Sequence, residues 1–226
     1  MVHVIIVAAG KGNRFGGELP KQFLLLNDKP VLMYSLENFR EINYKKNIIT
    51  VISKEMTAFW KKECSARGVD PGKLIEGGST RWESVRNGIL ALGSLGPDDL
   101  ILVHDGARPL VTNKIINDII DSVQKGHDGA IPVIELYDSI RQIIDNGSSV
   151  GIDRSNLRAV QTPQGFNAIK LKTAFDREYD ERFTDEATVM QTAGYSDIEL
   201  VKGDCRNLKI TRPIDLKIAE LFLQFQ

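Results

Sequence analysis

Residues 4–22 read VIIVAAGKGNRFGGELPKQ, and this stretch decides the fold. Val4, Ile5, Ile6 and Val7 form an unbroken apolar run. A run without polar alternation predicts a strand covered on both faces, as in a parallel sheet flanked by helices. It ends at Ala8-Ala9-Gly10, small residues that allow a sharp turn or a close approach. The following loop carries Gly12, Gly16 and Gly17 with the cations Lys11, Arg14 and Lys21, and has no acid before Glu18. Open α/β sheets bind ligands at the carboxyl ends of their strands. Free backbone N–H groups among cations suit a polyphosphate. Glycines after a strand usually just make a turn, but the stiff Pro20-Lys21-Gln22 ending sets a lysine in place, which a solvated loop does not need.

The common glycine motifs do not fit. A P-loop needs Gly-Lys-Ser/Thr after its spacer, and Gly17 is followed by Glu18-Leu19. The dinucleotide fingerprint needs a third glycine where Phe15 stands and an acid ending the second strand, which here ends in Ser53-Lys54. Working outward, Pro30 opens a helix carrying Leu32, Leu36 and Phe39. Strands follow at 48–52, 73–76, 100–103, 129–133 and 198–201, with helices between them and a last helix over 214–225. Lys209 is expected at the end of a further strand. The βα alternation predicts an α/β fold. Asn146-Gly147 lies between two extended runs and signals a hairpin that interrupts the alternation.

Two more spots carry chemistry. Gly77-Gly78-Ser79-Thr80 leads from a strand into a helix, so a hydroxyl caps the helix and glycine and hydroxyl groups face a ligand. Asp105 follows a buried strand in His104-Asp105-Gly106-Ala107-Arg108-Pro109, where a carboxylate can meet a metal–phosphate complex. His104 is expected to be structural.

Bulk properties bound the rest. The chain has 226 residues and a formal charge of −1, so nothing argues for nucleic acid. Cys64 and Cys205 make neither a disulfide framework nor a metal spacing. No apolar run approaches the roughly 20 residues of a membrane span, and a cytoplasmic protein is expected. Neither repeats nor a linker divide the chain.

The pattern A-A-G-x-G-x-R-x-G…P-K-Q resembles the sugar-nucleotide-type nucleotidyltransferases, and its ending is similar to the cytidylyltransferases that act on methylerythritol phosphate. Later motifs agree in order: Gly77-Gly78 with Arg81, Ser84 and Val85; His104-Asp105 with Ala107-Arg108-Pro109; Asp153-Arg154; Thr162-Pro163-Gln164 with Phe166; and Thr184-Asp185-Glu186-Ala187. The resemblance covers nearly the whole chain. It implies a Rossmann-like three-layer α/β/α nucleotidyltransferase domain over 1–226, with a mostly parallel sheet and an inserted β-hairpin dimerisation arm at about 135–157. It implies a homodimer with arm exchange, CTP and a polyol phosphate as substrates, and Mg²⁺ or another divalent cation.

The same resemblance implies residue roles. Arg14 and Lys21 would act on the α-phosphate, and Lys209 on the attacking phosphate. Arg154 would bind that phosphate from the second subunit's arm. Ala8, Ala9, Gly10, Gly12, Gly77, Gly78, Ser79, Ser84, Asp105 and Ala107 would contact the nucleotide. Asp105, Arg108, Ser139, Thr162, Thr184 and Thr211 would contact the acceptor, with Asp105 also at the metal. Alternatives are a ribitol 5-phosphate cytidylyltransferase, a dinucleotide-dependent oxidoreductase and a non-catalytic nucleotide-binding regulator.

Overall fold

A computed structural model describes residues 1–10, 19–144 and 147–225. The first strand, β1 (Val2–Ala8), lies between β4 (Lys46–Ile52) and β6 (Leu100–Asp105), parallel to both. Its apolar run is continuous because both faces are covered. Val4 and Ile6 pack with Leu36 and Phe39 of α1 (Val31–Glu41) and Trp60 of α2 (Thr57–Ala66). Ile5 packs on the other face with Val85 and Ile89 of α3 (Arg81–Leu90). Each such side chain, fully buried, contributes about 1.5–3 kcal/mol.

Between β1 and α1, Leu25–Leu26 (β2) pairs with Lys29–Pro30 (β3). Asn27 and Asp28 both take positive φ, 46° and 60°, as a two-residue hairpin turn requires. Pro30 precedes α1 as its N-cap, one residue outside the helix. On the sheet's far side from β6, β5 (Lys73–Glu76) continues the parallel order. α4 (Asn113–Gln124) buries Ile115, Ile116, Ile119 and Ile120 on the α1 face.

Among the described residues the central sheet has eight strands. After β7 (Gly129–Glu135), the chain forms β8 (Ile140–Ile143) and β9 (Ser149–Ile152), an antiparallel ribbon of their own. This is the expected hairpin; Asp145 and Asn146, between its strands in sequence, lie outside the described residues. Then β10 (Arg158–Val160) and β11 (Gln164–Asn167) run against the rest, β11 lying between β6 and β7. The motif reading of residues 162–166 missed this strand because Gln164 and Gly165 are poor strand formers. Gly165 is there for space: a Cβ would meet Ile119 Cγ2 at 2.3 Å and Leu102 Cδ2 at 2.8 Å.

α5 (Ala168–Ala174) and α6 (Glu186–Thr192) cover the α3 face, β12 (Ile198–Lys202) pairs parallel with β7, and α7 (Pro213–Leu223) closes the chain. Asp185 caps α6, its side chain accepting from Thr188 N–H. Among the described residues no helix is long and apolar enough to cross a membrane.

Lys209 does not end a strand. Residues 203–211 are irregular because side chains, rather than a ladder, anchor them. Asp204 Oδ1 accepts from the Arg206 N–H at 2.8 Å, and the buried Asn207 donates to the Thr162 carbonyl at 2.9 Å. Ile210 N–H then donates to the Ala107 carbonyl at 2.9 Å, which brings Lys209 beside the end of β6.

Candidate active site

A cleft of about 580 Å³ opens at the carboxyl ends of β1 and β6. β1 supplies Val7 and Ala8, continuing into Ala9 and Gly10; the segment after the loop supplies Lys21 and Gln22. Gly78, Ser79, Thr80, Arg81 and Ser84 come from the start of α3, Asp105 and Ala107 from the end of β6, and Lys209 and Thr211 from the irregular segment. Lys11–Glu18, which include Gly12 and Arg14, lie outside the described residues.

Gln22, which sequence reasoning passed over, ties this loop's two ends together. It is buried, and its amide donates to the Ala8 carbonyl at 2.6 Å and the Gly10 carbonyl at 2.8 Å. Lys21 and Gln22 sit in one short 3-10 turn, Lys21–Phe23, whose Phe23 packs edge-on against Phe59. The position of Lys21 is thereby referred to the end of β1.

The α3 wall is built by a capping box. Thr80 Oγ1 accepts from the Glu83 N–H at 3.0 Å, and Glu83 Oε2 accepts from Thr80 N–H. The same Glu83 oxygen accepts from the Ser79 hydroxyl and N–H, both at 2.6 Å. These hydrogen bonds, led by the Ser79 hydroxyl, hold the Glu83 pKa below its ordinary value. Ser84 is buried; its Oγ donates to the Thr80 carbonyl and accepts from Gly78 N–H at 3.1 Å. Gly77 touches the end of β1 so closely that a Cβ would sit 2.3 Å from Ala9 Cβ. The Gly-Gly-Ser-Thr segment therefore forms a rigid ledge against Ala9.

Asp105 is the cleft's electrostatic centre. Its Oδ2 lies 2.8 Å from Lys209 Nζ and 3.7 Å from Arg108 Nε, and its Oδ1 accepts from Arg81 Nη2 at 3.3 Å. Burial opposes ionisation of this carboxyl, yet Arg81, Lys209 and Arg108 outweigh it and hold the pKa well below the usual carboxylate range. Arg108 also donates to the Asn207 carbonyl at 2.7 Å. Its own pKa is lowered by burial, but a guanidinium remains charged.

Behind Asp105 runs a chain of hydrogen bonds. Asp105 N–H donates to Thr162 Oγ1 at 3.0 Å, Thr162 lies 3.2 Å from His104 Nδ1, and His104 Nε2 lies 3.0 Å from the Arg108 carbonyl. A carbonyl only accepts, so Nε2 carries the proton and Nδ1 accepts from the threonine. Burial pushes the His104 pKa down to about 4 and keeps the ring neutral. His104 is structural, as the sequence suggests. Thr162, expected at the acceptor, is buried with its hydroxyl engaged in this chain.

Three of the remaining expected residues lie elsewhere. Ser139 and Arg154 are exposed on the arm, where Arg154 donates to the Tyr137 carbonyl; Thr184 is exposed beside Thr188. None of the three is among the residues lining this chain's cleft. Thr211 lines it, with its hydroxyl donating to the Lys209 carbonyl at 3.1 Å. Arg81 and Glu186 form a pair that sequence reasoning did not foresee: Nη1 to Oε1 is 2.5 Å and Nη2 to Oε2 is 3.1 Å. Both stand in recognisable motifs, but spacing alone cannot pair side chains from two helices.

Residues 2–225 match the family model of IspD, 2-C-methyl-D-erythritol 4-phosphate cytidylyltransferase. The chain is 41% identical over 221 residues to the protein of that name from Bacteroides fragilis, covering 97% of this chain and 98% of that one. It is 38% identical over 224 residues to the one from Clostridium perfringens, covering 97% of each. The crystal structure of the Francisella tularensis 2-C-methyl-D-erythritol 4-phosphate cytidylyltransferase superposes with a TM-score of 0.81 at 31% identity, covering 97% of this chain and 98% of that one. The chain belongs to the 2-C-methyl-D-erythritol 4-phosphate cytidylyltransferase family.

Proposed function

We propose that the cleft joins CTP to 2-C-methyl-D-erythritol 4-phosphate, giving 4-diphosphocytidyl-2-C-methyl-D-erythritol and pyrophosphate, a step of the non-mevalonate isoprenoid pathway. Family membership over residues 2–225 supports the reaction. The carrying observation is the carboxylate of Asp105 at a strand end, held among Lys209, Arg81 and Arg108 opposite the Ala8–Gly10 turn.

The chemistry explains why the cleft carries cations and needs no poised base. An acceptor phosphate oxygen attacks the α-phosphorus of CTP, and the bond to the bridging oxygen of pyrophosphate breaks. The nucleophile is already ionised near neutral pH, so no proton need be removed. What the protein must do is bring two anions together and stabilise charge on the five-coordinate phosphorus. Lys21 and Arg14 would take the α-phosphate, with Arg14 outside the described residues. Lys209 would hold the acceptor phosphate with Arg154 of a second subunit. The ledge of Gly77, Gly78, Ser79 and Ser84 would receive the nucleoside, with Gly12 and Ala107 completing the nucleotide contacts. Arg108, Ser139, Thr184 and Thr211 would face the polyol phosphate, and Thr162 would act behind Asp105.

A divalent cation fits this donor set as a guest of the nucleotide. Among the described residues Asp105 is the carboxylate lining the cleft, and no group of three His, Cys, Asp or Glu side chains gathers to hold a metal. Mg²⁺ is commonly held by one or two carboxylates with phosphate oxygens and water. Asp105 would hold it together with the triphosphate, and the cation would supply charge neutralisation on the phosphates.

Two copies of the chain would form the working unit. The arm exposes Tyr137 at 79%, Ile143 at 71% and Val150 at 44%, and such apolar surface favours a protein partner. Arm exchange into a second copy would cover it and deliver Arg154. The enzyme would work in the cytoplasm. The test is pyrophosphate release with CTP and Mg²⁺, offering methylerythritol 4-phosphate and ribitol 5-phosphate separately. Release with the first is expected; release with ribitol 5-phosphate alone, or with neither, overturns the reading.

A further inference from the structure

Glu186 is a buried carboxylate beside the cleft, 1% exposed, and the reaction described above gives it no task. A buried charge left unpaired is costly. Here the Arg81 guanidinium closes on it with two nitrogens, at 2.5 and 3.1 Å. The fold holds Glu186 from both sides. Gln164, itself 1% exposed, donates to Asp185 Oδ2 at 2.9 Å and accepts from Ala187 N–H at 3.1 Å. Asp185 also caps α6 by accepting from Thr188 N–H at 2.9 Å. The residues on each side of Glu186 are thus tied to β11, so the carboxylate has little freedom to follow Arg81. Arg81 must follow it.

The other edge of the same guanidinium faces Asp105, with Nε at 3.4 Å and Nη2 at 3.3 Å from Oδ1. A guanidinium is planar and its donors are fixed relative to one another. Orienting one edge through Glu186 orients the other edge toward Asp105. Oδ1 is then committed to Arg81, and Oδ2 is turned to Lys209 at 2.8 Å. Remove the Glu186 charge and Asp105 becomes the remaining counter-charge for Arg81, in competition with Lys209.

We propose that Glu186 is a positioning residue for nucleotidyl transfer: it fixes Arg81, and Arg81 presents Asp105 with one oxygen occupied and the other directed at Lys209 and the substrates. The inference rests on the cytidylyltransferase reading.

The experiment compares the wild-type chain with E186Q, E186D, R81K, D105N and the E186Q/D105N double variant. Pyrophosphate release is followed with CTP, methylerythritol 4-phosphate and Mg²⁺, and melting temperatures are recorded alongside. E186Q is expected to lower kcat on the order of 10- to 100-fold, as a small misplacement in a catalytic site can. The KM for CTP should move far less, and E186D, which keeps the charge, should recover part of kcat. In the D105N background E186Q should cause little further loss, because Glu186 acts through Asp105. A structural ion pair predicts the same fractional loss in both backgrounds, and that result, or wild-type kcat in E186Q, overturns the inference. Should E186Q fail to fold, R81K carries the test: it keeps the charge but loses the fork, and its loss must likewise shrink when combined with D105N. A wild-type chain that releases no pyrophosphate overturns the reaction itself, whereas an active wild type with an unimpaired E186Q overturns the positioning role alone.

Discussion

Lys209 Nζ lies 2.8 Å from Asp105 Oδ2, joining the end of a buried strand to the irregular segment that follows β12. The lysine is about a third exposed and the carboxylate is buried, so the pair forms the polar floor of an open cleft. On the proposed reading, a substrate phosphate arriving here would compete with Asp105 for the same ammonium group. Lys209 would then change partner, with Asp105 holding it between turnovers.

Lys21 and Lys209 are the described lysines lining the cleft, and the proposed reading assigns them to the reacting phosphates. Lys21→Ala should lower kcat on the order of 10²–10³-fold, the usual effect of losing one transition-state donor. Lys209→Ala should fall in the same range and also raise the KM of the acceptor. Steady-state rates within a few-fold of wild type would remove the residue concerned from the mechanism.

Arg154 sits on the arm, outside its own chain's cleft. Arg154→Ala should weaken the acceptor more than CTP. Mixing Arg154→Ala chains with Lys209→Ala chains should restore about a quarter of the sites in a two-fold dimer, because half the dimers are mixed and each carries one complete site. Equal weakening of both substrates contradicts the acceptor role. An inactive mixture of demonstrably exchanged subunits contradicts sharing across the dimer.

Gln22 uses both amide hydrogens on the Ala8 and Gly10 carbonyls. Gln22→Glu has nearly the same shape, but an ionised carboxylate faces those carbonyls with acceptors only. Activity near neutral pH should drop on the order of tenfold, consistent with leaving buried acceptors unpaired at about 1–3 kcal/mol. Protonation supplies one O–H donor, so the ratio of variant to wild-type activity should rise as pH falls. A pH-independent ratio argues against the pin.

His104 sets a pH dependence of stability. Its pKa falls from 6.5 unfolded to about 4 folded, because burial disfavours the cation. Between those values the unfolded chain binds more protons than the folded one, so stability falls as pH drops from about 6.5 toward 4. The full effect is on the order of 3 kcal/mol. His127 works in the opposite sense, its pKa raised by the Asp197 hydrogen bond, but it lies at the surface. Urea unfolding at pH 7, 5.5 and 4.5 should show the loss, and His104→Asn should flatten it. Parallel curves for the two proteins would contradict the assignment.

Much of the fold was legible because burial leaves periodic traces. The unbroken run Val4–Val7 implied helices on both faces, and α1, α2 and α3 cover them. Gly77–Thr80 announced a capped helix, and the capping box is present. β11 was hidden because its fitness for the sheet lies in what packs against Gly165, a property of Ile119 and Leu102 rather than of the strand. Lys209 was placed in the wrong local structure because Asn207 and Asp204 anchor that segment by side chains. Of the cations picked out by motif, Lys21 and Lys209 line the cleft. Their arrangement around Asp105, the Arg81–Glu186 fork and the Gln22 pin depend on distances that no sequence spacing contains.

The bond that forms is followed directly by ³¹P NMR. Wild-type chain with CTP, methylerythritol 4-phosphate and Mg²⁺ should lose the acceptor's phosphate monoester signal and gain the coupled pair of a diphosphate diester, with pyrophosphate appearing in equal amount. Ribitol 5-phosphate under the same conditions should react far more slowly. A diester formed preferentially from ribitol 5-phosphate would contradict the acceptor assignment, and CTP left intact beside both acceptors would contradict nucleotidyl transfer in this cleft.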